Sequence, residues 1–169
     1  MAYYMWLLIN SVLIVGICIY IWFYRSQDSN VVIVGQVFSQ LAILLFFINV
    51  NMYFIFLVIR KTKVRSIKIS LAKLSRKMMK SHIWLGIMGT ILIVFHGGIM
   101  LVKVGEIIGY THTKVLSGIV SILLLMVTIY AGYLRHKKSS GLRRKFHYVT
   151  AFLFTFLFLL HMFLPILEN

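Results

Sequence analysis

Five stretches of the chain are almost unbroken apolar sequence: residues 2–24, 31–59, 82–102, 115–134 and 146–164. A bilayer hydrocarbon core about 30 Å thick is crossed by about 20 residues of helix, so each stretch predicts a transmembrane span. The second is long enough to tilt or to protrude. The first has neither a basic leading region nor a small-residue cleavage site, and is expected to be a retained span, not a signal peptide. Residues 61–80 follow another rhythm. Val64, Ile67, Leu71, Leu74 and Met78 recur at three- and four-residue steps between basic flanks. That pattern predicts an amphipathic helix, expected to lie against anionic lipid headgroups or to offer a docking surface to an acidic partner.

Composition agrees with the pattern. Hydrophobic residues make up 61% of the 169 and charged residues only 12%, too few charges to cover a soluble domain and too much apolar surface for a disordered chain. The single cysteine, Cys18, excludes an internal disulfide framework and any cysteine-based zinc or iron–sulfur cage. The expected fold class is therefore an all-α integral membrane protein, residues 1–169 forming one domain of five transmembrane helices in a bundle, with a basic amphipathic helix beside it.

The net charge of +15 would suggest nucleic acid on a soluble fold. Here its placement says otherwise. Nine Lys/Arg lie in residues 60–81 and six in residues 135–145, two loops on the same side of five spans. Arg25, Lys103 and Lys114 fall on the other side with Asp28, Glu106 and Glu168. The positive-inside rule then puts the N-terminus inside and the C-terminus outside a cytoplasmic membrane, with lipid as a partner and no nucleic acid.

Of six histidines, His112 and His136 fall in loops and are expected to be solvated. The other four form a rectangle. His82 and His96 lie in the third span and His147 and His161 in the fifth, each pair 14 residues apart. Fourteen residues turn a helix through nearly four full turns and rise about 21 Å, so both members share a face at well-separated depths. The two spans run in the same direction, which pairs His82 with His147 and His96 with His161. Ionisable side chains inside a membrane usually face a partner in the protein interior. Two imidazoles facing each other at one depth are what a heme iron needs, and the rectangle supplies this twice. Hydrogen bonding between structural histidines, or another metal, are the competing uses; no acidic residue or cysteine lies near any of the four.

Glycines follow the same spacing. Gly86 and Gly89 share the face of His82, Gly97 and Gly98 follow His96, and Gly118 and Gly132 of the fourth span are again 14 apart. Small residues admit a flat macrocycle, and equally they admit close helix packing. Lys80, Arg143, Arg144 and Lys145 border the inner pair and could meet heme propionates or simply set topology. Gln36, Gln40, Asn49 and Asn51 are polar positions in the second span, expected to hydrogen-bond between helices.

His82…His96 and His147…His161 on spans two apart resemble the diheme cores of membrane b-type cytochromes. The segment RRKFHYVTAFLFTFLFLLH (residues 143–161) is similar to the ligand-bearing span of the ferric-reductase-like transmembrane superfamily. HIWLGIMGTILIVFHGG (residues 82–98) is similar to cytochrome b561-type spans. The resemblance covers spans three to five. It implies two b-type hemes with His82, His147, His96 and His161 as axial ligands, and Gly86, Gly89, Gly97, Gly118, Gly132, Arg143 and Arg144 around them. It also implies transmembrane electron transfer from a cytoplasmic-side donor to an outer-face acceptor. Six spans are usual in that class, against five here. No GxGxxG loop or P-loop occurs, so the expected donor is a quinol, a small reductant or a separate protein. A heme-bearing anchor subunit of a quinone-linked oxidoreductase, and a heme-free accessory or transport protein, are the alternatives.

Overall fold

A computed structural model describes residues 29–164 and individual positions between 5 and 23. The span expected over residues 2–24 lies outside the continuously described residues. Among the described residues the elements are all helical: α1 (Asn30–Lys61), α2 (Arg65–Lys103), α3 (Gly105–Ile108), α4 (Thr113–Lys137) and α5 (Gly141–Phe163). All but the single turn α3 are long and apolar enough to cross a membrane. The chain is thus a multi-pass membrane protein with four candidate spans among the described residues. Side chains such as Trp84, Leu123 and Phe156 stand on its exposed faces, where a bilayer makes their exposure favourable.

One expectation changes. Residues 61–80 do not form a separate surface helix: from Arg65 they continue without a break into the third span, making one helix of 39 residues. The reason lies in the sequence. No proline or glycine occurs between Arg65 and Leu85, so nothing interrupts the backbone ladder where the composition changes from basic to apolar. At about 1.5 Å per residue α2 is about 58 Å long, more than the roughly 40–45 Å of a whole bilayer. Its basic turns extend the span and cannot lie flat on the membrane.

The other ends are set by caps. Ser29 Oγ accepts from Val31 N–H to start α1, and Ser140 Oγ accepts from Arg143 N–H to start α5. His112, expected to be a solvated loop residue, is the N-cap of α4, its Nδ1 accepting from Lys114 N–H at 3.1 Å. Such caps satisfy N–H groups that the first turn leaves without partners.

The helices associate as two antiparallel pairs. α1 packs along α2, and α4 along α5; between the pairs the main approach is α2 to α4. The histidine-bearing helices α2 and α5 are not packed backbone to backbone. The space between the pairs is filled at mid-depth by Phe46, Ile93, Leu125 and Phe154, with Ala42 beneath. Phe46 meets Phe154 edge-on, ring centres 5.3 Å apart, a geometry that adds about 0.5–1.5 kcal/mol to the area buried. A second cluster joins Ile17 to Ile43 and Met162.

Candidate functional site

Each histidine-bearing helix is backed by a helix without membrane-embedded histidines, and the contacts between them decide how the imidazoles are held. In α2, His96 Nδ1–H donates to the carbonyl of Gly35 on α1 at 2.8 Å. In α5, His147 Nδ1–H donates to the carbonyl of Thr128 on α4 at 3.3 Å. His161 Nδ1 lies 3.0 Å from Ser117 Oγ on α4. The single proton of that hydroxyl is committed to Lys114 O at 2.9 Å, so Ser117 accepts and His161 Nδ1 carries the hydrogen. In all three rings the acceptor fixes the tautomer, with the hydrogen on Nδ1.

Glycine makes these approaches possible. A β-carbon on Gly132 would stand 3.3 Å from His147 Cε1, and one on Gly118 would stand 3.0 Å from His161 Cε1. Gly132 lies four residues beyond Thr128, on the turn whose carbonyl takes the hydrogen bond, so its missing side chain opens that oxygen to the ring. Gly35 does the equivalent on α1: a β-carbon there would meet Met100 Cε at 2.9 Å and Ile99 Cγ2 at 3.0 Å. The 14-residue glycine period of α4 therefore matches the 14-residue histidine period of α5, contact for contact. Gly35 was not among the sequence candidates; a glycine beside the polar pair Gln36 and Gln40 was the available signal.

The remaining glycines divide between other neighbours. Gly86 faces Asn49 and Gly89 faces Phe46, both on α1, so these two admit the backing helix; Gly97 faces Ile122 of α4. Gly98 has nothing within 4 Å of where a β-carbon would sit.

The structure brings His82 and His147 together across the two pairs, ring centres 6.2 Å apart and planes perpendicular. His82 is the one imidazole of the four whose Nδ1 is buried with no hydrogen-bond partner among the described residues. Its backbone carbonyl, opened by Gly86 four residues on, accepts from Asn49 Nδ2–H at 3.3 Å.

Two cations act differently from the sequence expectation. Arg143 turns onto the last turn of α4, its guanidinium donating to Leu134 O at 3.0 Å and Lys138 O at 3.3 Å. It thereby adds a charged donor at the C-terminal end of α4, where the helix dipole is negative. Arg144 and Lys145 line an open groove with Tyr148 and Phe152 at the same end. At the opposite end Lys114, only 5% exposed, caps α5: its ammonium donates to the carbonyls of His161, Met162 and Leu164. A cation on the negative end of the helix dipole is well placed electrostatically, and this one immobilises the turn that bears His161. Sequence reasoning assigned Lys114 only to the outer loop charge.

Among the described residues no three His, Cys, Asp or Glu side chains gather as a conventional metal site. The arrangement brings one pair of imidazoles, His82 and His147, together across the helix pairs. Comparison of the chain with protein families, curated proteins and solved structures found no match.

Proposed function

We propose that the chain is a small diheme b-type cytochrome of the ferric-reductase-like type, carrying electrons across the cytoplasmic membrane from an inner donor to an outer acceptor. The observation that carries this reading is the tautomer pattern. Ligating histidines characteristically donate their second ring N–H to a carbonyl or other acceptor, which orients the ring and raises its basicity. His96, His147 and His161 each do so through Nδ1, onto a helix that has no competing ligand.

Two further observations support it. His82 and His147, from different helix pairs, stand with ring centres 6.2 Å apart, near enough for both to be ligands of one iron. The helices that bear the four histidines, α2 and α5, are not packed backbone to backbone, and a planar group would lie between them.

When bound, heme supplies reversible one-electron chemistry at iron. The protein's own residues supply the rest. His82 and His147 would hold the inner iron, and His96 and His161 the outer one. Gly118 and Gly132 let the rings of α5 seat against α4. Phe46, Ile93, Leu125 and Phe154 keep water out of the layer between, lowering the dielectric through which charge moves. Arg144, Lys145 and the basic turns of α2 attract an acidic or anionic donor to the inner end.

The test is a heme-to-protein ratio by pyridine hemochrome on detergent-purified chain, with a dithionite difference spectrum. Two b-type hemes per chain are expected. None would overturn the proposal, and one would remove one of the two pairs from it.

A further inference from the structure

Three of the four imidazoles are anchored through Nδ1 by their backing helix, and the fourth has a complementary group standing beside it. Asn49 of α1 touches His82 of α2: its amide nitrogen donates to the His82 carbonyl, and Gly86 leaves the room, a β-carbon there standing 3.6 Å from Asn49 Nδ2. Two buried polar atoms at this contact lack partners among the described residues, and they are of opposite sense. Asn49 Oδ1 is an acceptor and His82 Nδ1 is a donor when Nε2 is kept for a ligand. Buried polar atoms are nearly always paired, and the low dielectric of a membrane interior sharpens that requirement.

We infer that Asn49 is the positioning residue of His82, its Oδ1 accepting the Nδ1–H of that ring when Nε2 is bound to iron. The inference rests on the diheme reading and deepens it. It completes a rule that the other three histidines already follow: α1 orients the imidazoles of α2, and α4 those of α5. Two backing helices thus hold four rings, each through Nδ1. On α1 the adjoining turns bring Phe46 on one side and Met52 and Tyr53 on the other, so Asn49 supplies the amide beside His82.

An acceptor on Nδ1–H makes an imidazole a stronger donor to iron, stabilises the ferric state and lowers the reduction potential. Two substitutions separate this from simple packing. Asn49→Leu keeps the volume and removes the acceptor; Asn49→Asp keeps an acceptor and strengthens it. Potentiometric titration of purified protein, with the inner heme assigned as the one lost in His147→Ala, reads the effect. The inner potential is expected to rise in Asn49→Leu and fall in Asn49→Asp, with the outer potential unmoved in both. Loss of the inner heme in Asn49→Leu with its return in Asn49→Asp supports the inference equally. Unchanged inner potential and heme content in Asn49→Leu, or the same outcome in both variants, overturns it. Wild-type protein purified without heme defeats the diheme reading itself. In that case ¹⁵N-histidine spectra of the same protein decide the Asn49 contact: the His82 Nδ1–H resonance moves in Asn49→Leu if the bond exists, and stays if it does not.

Discussion

Replacing Gly118 with alanine sets two effects against each other. Alanine is favoured over glycine inside a helix by about 1 kcal/mol, so α4 alone would gain. A β-carbon at this position, however, stands 3.0 Å from His161 Cε1 and 3.4 Å from its Nδ1, where non-bonded carbons rest at about 3.5–4.0 Å. The ring cannot step aside freely, because Nδ1 is tied to Ser117 Oγ at 3.0 Å and the backbone of His161 is held by Lys114. It must recede by roughly 0.5 Å or more, which weakens a hydrogen bond worth about 1 kcal/mol and adds an overpacking cost of about 1–3 kcal/mol. The expected balance is a net destabilisation of about 1–3 kcal/mol. Gly132→Ala is the graded comparison. There the nearest atom is 3.3 Å away and the His147 bond to Thr128 is already long at 3.3 Å, so a shift of a few tenths of an ångström suffices and the helix gain offsets it. Thermal unfolding in detergent and heme content per chain read both. Gly118→Ala should melt lower and fall from two hemes toward one, while Gly132→Ala stays near wild type. Wild-type stability and heme content in Gly118→Ala, or a larger loss in Gly132→Ala, would refute the packing argument.

Three further outcomes are expected. His82→Ala and His147→Ala should remove one and the same heme by optical and EPR spectra, and His96→Ala and His161→Ala the other; a shared phenotype of His82→Ala and His161→Ala would break the pairing. Lys114→Met should lower the melting temperature by the loss of a charged hydrogen-bond donor, about 1.5–3 kcal/mol, and broaden the spectrum of the heme assigned to His161; unchanged stability would remove Lys114 as the cap of α5. Asn169→Cys should react with an impermeant thiol reagent in intact cells while Ser139→Cys is protected; the reverse pattern would invert the orientation.

The apolar runs at 31–59, 115–134 and 146–164 correspond to α1, α4 and α5, each helix extending past its run by a few residues at the basic end. Those extra turns are polar, and a hydropathy pattern stops where composition changes, not where the backbone ladder does. The same cause split residues 61–80 from the third span. Their amphipathic rhythm and basic flanks matched a surface helix, yet the missing helix breaker between Arg65 and Leu85 was there to be read. At the site, the juxtaposition of His82 with His147 followed from spacing alone, because equal periods on parallel helices fix equal depths. The matching glycines of α4 were legible for the same reason. Gly35, Ser117, Thr128 and Lys114 were not: each acts through a backbone carbonyl, a hydroxyl or a single long side chain reaching a neighbouring helix, and no spacing rule along one helix encodes which neighbour it meets. Arg143 likewise reads as one more loop charge until the last turn of α4 is seen beside it.

The unbroken course of α2 has a mechanical meaning. An α-helix resists twisting and stretching because every turn is laced to the next by its hydrogen bonds, so a displacement of the turns around Lys68–Lys77 is passed along the one helix to His82 and His96. Those two rings move as teeth on one shaft. Their counterparts His147 and His161 belong to α5, in the other helix pair, and the pairs are joined mainly by side chains. A movement of the α1–α2 pair against the α4–α5 pair would therefore keep the bond of His96 to Gly35 while changing the distance between His82 and His147. The basic shaft is a handle, and the contact of His82 with His147 is the joint it moves.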